Sequence, residues 1–204
     1  MATGEEALVT SIEEQLRRAT VDLVAAGARF AVVGGLAVSA RAEPRMTRDA
    51  DLAIAVRDDD EAERIVRAMT NRGYSVLAVV EQDATGRMST ARLGSKGSVV
   101  TDLLFASSGI EPEIVARATD ISVVSGLVLP VAIVGDLIAM KLLARDDRHR
   151  PTDADDLRAL RDVATDEDWI VARLAVGLIE HRGFARGRDL GDRLDSLIRN
   201  GAYG

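Results

Sequence analysis

Apolar positions recur at two periods along the chain, and the change from one to the other divides it. "EEALVTSIEEQLRRATVDLVAAG" sets Leu8, Ile12, Leu16, Val21 and Val24 at helical intervals and stops at Gly27, a residue suited to a left-handed cap. "RFAVVGGLAV" reads as a buried strand that turns at Gly34-Gly35 into a short helix, and "ADLAIAV" as a second strand. The acidic "RDDDEAERIVRAMTNRG" predicts a helix with Asp58 to Asp60 near its start, where carboxylates cap amides and favour the dipole rather than gather a metal. "YSVLAVV", "RMSTARLG" and "SVVTDLLFA" are three more strands. After "ISVVSGLVLPVAIV" the spacing turns helical through "GDLIAMKLLAR", "DADDLRALRDV", "DEDWIVARLAVGLIEHRG" and "RDLGDRLDSLIRNG". The pattern predicts an α/β (α+β) head over residues 1–133 and a helical C-terminal region over 134–204. Trp169, the single tryptophan, falls near a helix start and is expected to pack in the core.

Composition narrows the chemistry. The 204 residues are 47% hydrophobic, enough for one core with a helical annex. No cysteine is present, so neither a disulfide frame nor a zinc-thiolate site is available, and two histidines make a histidine cluster unexpected. The N-terminus carries acids where a signal peptide needs basic residues, and the longest apolar stretch is broken by Ser125, Gly126, Pro130, Gly135 and Asp136. Neither secretion nor a membrane anchor is expected, and a cytoplasmic place is. A net charge of −7 argues against nonspecific coating of nucleic acid but leaves room for a local basic cleft. Two clusters offer one: Arg41, Arg45 and Arg48, and Arg145, Arg148, His149 and Arg150. Either could equally be a solvated surface.

Three aspartates carry the candidate chemistry. Residues two apart in a strand share a face, so Asp49 and Asp51 project together from the polar end of a strand that continues through Leu52, Ile54 and Val56. Two such carboxylates ask for a counter-charge, and a hard divalent cation prefers oxygen ligands. The alternative is a turn leading into the strand whose aspartates cap backbone amides. Asp102, in "VVTDLLF", has apolar neighbours on both sides, where an unpaired carboxylate is costly. If its strand adjoins that of Asp49, the three acids converge on one or two metal ions, as in-line phosphoryl transfer uses. Otherwise Asp102 forms a salt bridge to one of the arginines. Gly34-Gly35 would let backbone N–H groups approach a phosphate at a helix start, or would simply be a tight turn.

Gly34-Gly35, "RMTRDAD", "TDLLF" and "DLIAMKLLARDDRHRPTDADDL" together resemble the nucleotidyltransferase superfamily, in its AbiEii/MenT-like toxin branch. The resemblance spans roughly residues 30 to 160 and implies a DNA polymerase β-like core with a mixed sheet, its site completed by the helical region. It implies Gly34 and Gly35 as the phosphate-cradling turn, Asp49 and Asp51 as the metal-binding pair, and Asp102 as the third acid and metal ligand. Lys141 matches the branch's essential lysine, and Asp153, or else Asp156, the acid that completes the site. Arg45, Thr47 and Lys141 would join the nucleotide contacts. Gly35 stands where the glycine-serine form of the turn has a hydroxyl, for which Ser39 would substitute. "TDADD" departs from the branch's pattern by placing Thr152 at the lysine position. The resemblance further implies Mg²⁺ (or Mn²⁺), an NTP substrate with CTP or UTP favoured, a tRNA acceptor and a cognate antitoxin. Two other readings are a small-molecule, antibiotic-type nucleotidyltransferase and a catalytically inactive binding or antitoxin module.

Overall fold

Helix α1 (Gly4–Ala25) buries Ile12, Leu16, Ala19 and Leu23. That stripe corrects the expected one, because Val21 and Val24 stand 63% and 65% exposed. Nine residues at about 100° each carry Val21 to the side opposite Ile12, so Ala19 and Leu23 complete the buried face. The computed structural model describes residues 4–47, 49–95, 100–124, 126–145 and 152–200, and the Leu8 side chain falls outside them. Gly27 adopts φ +74° just past the helix, as a left-handed cap requires.

The chain then alternates: β1 (Arg29–Val33), α2 (Gly34–Arg41), β2 (Asp49–Ala55), α3 (Asp59–Thr70), β3 (Ser75–Glu81), β4 (Met88–Gly94) and β5 (Val100–Leu104). Helix α4 (Glu111–Arg117), a short element with no counterpart in the expected pattern, leads to β6 (Thr119–Val124) and β7 (Leu127–Val131). Four helices follow: α5 (Val134–Ala144), α6 (Thr152–Val163), α7 (Asp166–His181) and α8 (Leu190–Asn200). The strands form one mixed sheet in the order β3-β4-β5-β2-β1-β7-β6. β2 pairs antiparallel with β1 and parallel with β5, so it lies at the centre. From Leu52 to Ala55 every residue of β2 is buried, which suits a strand covered on both faces.

Local chemistry closes the helices where the sequence expects it. The Asp58 carboxylate accepts the Glu61 amide at 2.9 Å and caps α3. Thr165 and Asp168 form a reciprocal capping box on α7. Trp169 is half-buried and packs against the core from the first turn of α7.

Ion pairs tie the helical region to the sheet. Arg117 at the end of α4 grips Asp136 in the first turn of α5 through two bonds, of 2.6 and 3.0 Å. Burial pushes the Asp136 carboxyl up, and the Arg117 guanidinium opposes that shift. Arg182 reaches back to Glu113 at 2.6 Å. α5 packs on α7, α6 and α2, so the helical region stands against the helix that follows the glycine pair.

Candidate active site

The row of side chains on one face of the sheet follows from register. Asp51 stands beside Asp102 across the parallel β2–β5 pair, and Asp102 beside Arg92 across the antiparallel β4–β5 pair. On the other side Asp51 faces Val33, the residue before Gly34. Asp49 lies two residues from Asp51 and shares its face. These residues line a cavity of about 600 Å³ together with Gly34, Gly35, Arg45, Thr47, Lys141 and Asp153.

The two glycines are required by what touches them. Gly34 has φ +62°, and a Cβ there would collide with the Asp51 carboxylate. A Cβ on Gly35 would come within 2.7 Å of Arg45 Nη2 and 2.9 Å of Thr47 Oγ1. The turn thus lets the backbone at the start of α2 lie directly against the acid-bearing strand. Thr47 Oγ1 donates to the Asp49 carbonyl at 3.4 Å, at the mouth of β2.

The opposite wall comes from α5 and α6. Lys141 Nζ lies 2.7 Å from Asp153 Oδ1 and 2.6 Å from Asp156 Oδ2, with its side chain only 13% exposed. Asp156 is shared, because Arg45 also binds it through Nε at 2.5 Å and Nη2 at 2.8 Å. One turn of α6 separates the two aspartates, so both reach the same ammonium. Both aspartates named in the expected choice, Asp153 and Asp156, thus contact Lys141. Among the described residues Asp153 binds Lys141 through Oδ1, and its buried Oδ2 has no hydrogen-bond partner.

Several expected site residues have partners within the fold. Asp102 was the expected third metal ligand, but Arg92 occupies both its oxygens, Nε at 2.9 Å from Oδ1 and Nη2 at 2.6 Å from Oδ2. Among the described residues no three acids or histidines stand together as a metal-ligating group. Ser39 is not among the cavity-lining residues: its hydroxyl accepts the Arg45 amide and donates to the Arg45 carbonyl, both at 3.2 Å, holding the loop after α2. Arg41 is not a basic surface. It donates to the carbonyls of Ala132 and Val131 at 3.0 and 2.8 Å and to Thr119 Oγ1 at 2.6 Å, fastening α2 to β6 and β7. Arg145 is buried, and Arg48, Arg148, His149 and Arg150 lie outside the described residues.

Sequence reasoning missed Arg92, Arg186 and Arg188, all of which line the cavity. Arg92 alone carried a signal, as the one charge inside "MSTARLG" with Ala91 and Leu93 buried on either side. Arg186 donates to the Ser107 carbonyl at 3.0 Å, and Arg188 donates to the Leu143 carbonyl. Beneath this rim Glu111 is fully buried and accepts from the amide and hydroxyl of Ser108, at 2.7 and 2.8 Å. Burial pushes its carboxyl up, and the Ser108 bonds oppose the shift.

Asp49 and Asp51 suit a hard cation: they offer carboxylate oxygens on one face, in a chain without cysteine, beside a glycine whose missing side chain leaves Asp51 room. Asp102 does not fit that ligand set while Arg92 holds it.

Residues 16–200 match the model of the family described as nucleotidyl transferase AbiEii toxin, type IV TA system. No curated protein matches the chain. Among solved structures, the antibiotic-resistance factor ANT(2'')-Ia is 15% identical, with 96% of this chain and 92% of that one covered and a TM-score of 0.43. The nucleotidyltransferase toxin MenT4 from Mycobacterium tuberculosis is 19% identical over 72% of this chain and 56% of that one, with a TM-score of 0.43. JHP933 from Helicobacter pylori is 17% identical over 95% and 97%, with a TM-score of 0.37.

Proposed function

Because the chain belongs to the AbiEii family of nucleotidyltransferase toxins of type IV toxin–antitoxin systems, we propose that its cavity transfers nucleotides, pyrimidines by preference, from NTP to the 3′ end of tRNA. Extension of that end blocks aminoacylation and stops translation, and a cognate antitoxin counters the effect. The reaction belongs in the cytoplasm, where tRNA is charged. Among the described residues no helix is long and apolar enough to cross a membrane.

The observation that carries the reading is the shared face of Asp49 and Asp51 beside Gly34, in one cavity with Lys141 and Asp153. Asp49 and Asp51 would hold Mg²⁺ or Mn²⁺, which would supply positive charge against the triphosphate. The backbone at Gly34-Gly35 approaches the phosphates, and the Lys141 ammonium stabilises charge on the oxygens around the reacting phosphorus. The acceptor hydroxyl oxygen bonds to the α-phosphorus as the bond to the β-phosphate oxygen breaks and pyrophosphate leaves. Asp153 takes the hydroxyl proton: its Oδ2 is unpartnered, whereas both oxygens of Asp102 are engaged by Arg92.

The test is incubation of the purified protein with Mg²⁺, tRNA and each α-³²P nucleoside triphosphate in turn. Label is expected on tRNA, more from CTP or UTP than from a purine. Label confined to small molecules, or absent with all four triphosphates, removes the tRNA assignment. In cells, growth arrest is expected to vanish in folded Asp49→Ala, Lys141→Ala and Asp153→Ala variants.

A further inference from the structure

Arg92 has no part in the chemistry above, yet the sheet sets it in line with the acids. Along the cavity face the register runs Val33, Asp51, Asp102, Arg92, one residue from each of four adjoining strands. Strands lie about 4.8 Å apart, so Arg92 stands about 10 Å from Asp51, on the side away from the glycine turn. Gly34 begins at the other end of the row, directly after Val33. Direction along this row has chemical meaning. In-line displacement puts the incoming hydroxyl and the departing pyrophosphate on opposite sides of the α-phosphorus. With the triphosphate at the glycine turn, the acceptor enters from the Arg92 side.

The guanidinium is equipped for that position. Its Nε and Nη2 face Asp102, which leaves the remaining N–H edge of a five-donor fork turned outward. The Arg92 side chain is 48% exposed while that of Asp102 is 10% exposed, so the pair is anchored at the acid and open at the base. The bonds from Asp102, with the fields of Asp49 and Asp51, hold Arg92 firmly charged. An acceptor strand carrying phosphodiesters must approach three aspartates, and a cation at its point of entry offsets that repulsion.

We propose that Arg92 is an acceptor-binding residue: held by Asp102, its outward N–H edge takes a backbone phosphate near the 3′ end of a nucleic-acid acceptor. Asp102 is then a positioning residue for Arg92 rather than a ligand of the catalytic metal. The inference rests on the reading of Asp49 and Asp51 as the metal pair and on tRNA as the acceptor.

Binding of a tRNA ending in a 3′-deoxynucleotide, measured by fluorescence anisotropy over a range of salt, isolates this contact from the transfer step. Arg92→Gln is expected to weaken binding about tenfold and to lower the salt slope by about one. Arg92→Lys, which keeps the charge without the fork, is expected to recover part of the loss. Because Arg92→Gln leaves a buried acid without its partner, the double variant R92Q/D102N removes both charges and must show the same loss. In the same variants the KM for NTP and the binding of Mn²⁺ followed by EPR are expected to stay within about twofold of the parent. Unchanged tRNA affinity in R92Q/D102N overturns the proposal, as does a tenfold weakening of Mn²⁺ binding by Asp102→Asn. A parent protein that binds tRNA while its R92Q/D102N variant binds equally well sinks this proposal alone. A parent that binds no tRNA sinks the tRNA reading with it.

Discussion

On the sheet side of the cavity, Arg92 reaches a single carboxylate from a half-exposed position, whereas on the helical side Lys141 is shared by Asp153 and Asp156 with little solvent contact. The sheet row holds three aspartates to one guanidinium, all brought into line by strand register. The helical wall closes on Asp156, which Lys141 and Arg45 share, and lines the cavity with Lys141 and Asp153. Opposed charges that satisfy one another in a buried place are structural first, since removing one leaves the rest desolvated and unmatched. A row that sets carboxylates side by side along a cavity is suited to bind a cation from outside. The same residue types thus do different work according to whether the fold has already balanced them.

The largest effect expected from this contrast is on the helical wall. Asp156→Ala leaves Lys141 and Arg45 without the acid they share and is expected to cost about 3 kcal/mol, a fall of about 6 to 12 °C in melting temperature. Thermal melts check it. An unchanged melting temperature would show that the wall is not the closed structural unit its contacts describe.

Next comes the acid row. Asp51→Asn keeps the shape beside Gly34 but removes charge, so nucleotide transfer is expected to fall at least about a hundredfold while the melting temperature shifts by less than about 2 °C. A stability loss as large as that of Asp156→Ala would erase the distinction between the two walls. Transfer rate and melting curve must be read on the same preparation.

The smallest effect lies where the walls meet, in the loop between β5 and α4 that Arg186 holds from the helical side and Glu111 from below. Burial raises the folded carboxyl of Glu111 above its ordinary value. For an acid shifted upward, the stabilising contribution is complete below the unfolded value and is lost as pH rises through the folded one. Stability to urea is therefore expected to fall as pH rises above the ordinary carboxylate range, and Glu111→Gln to flatten that slope. A slope identical in the variant would remove Glu111 as its source.

Much of the cavity's chemistry was legible before any tertiary contact was known, because it rests on short-range rules. Alternation along a strand sets Asp49 and Asp51 on one face whatever the rest of the chain does. The glycine pair between a buried strand and a helix start marks a close backbone approach, and Asp51 beside Gly34 is what approaches. Lys141 and Asp153 lie twelve residues apart in sequence, so the chain itself brings α5 and α6 near one another. Even so, the same local logic misjudged α1, where Ala19 was passed over for Val21, because an alanine carries too little apolar signal to compete with a valine about half a turn out of phase.

Partnership across the fold was decided elsewhere. That Asp102 belongs to Arg92 depends on the register between β4 and β5, and a slip of one residue would have turned the arginine to the other face. That Arg45 reaches Asp156, and Arg186 the Ser107 carbonyl, depends on where segments 111 and 79 residues away along the chain come to rest. Sequence by itself determined which residues have chemistry to offer and which face of their own element they occupy, since both follow from local backbone geometry. Only the tertiary structure decided which charges are already matched within the fold and which face the cavity, because charge balance depends on distance and burial, and neither is written in the spacing of residues along a chain.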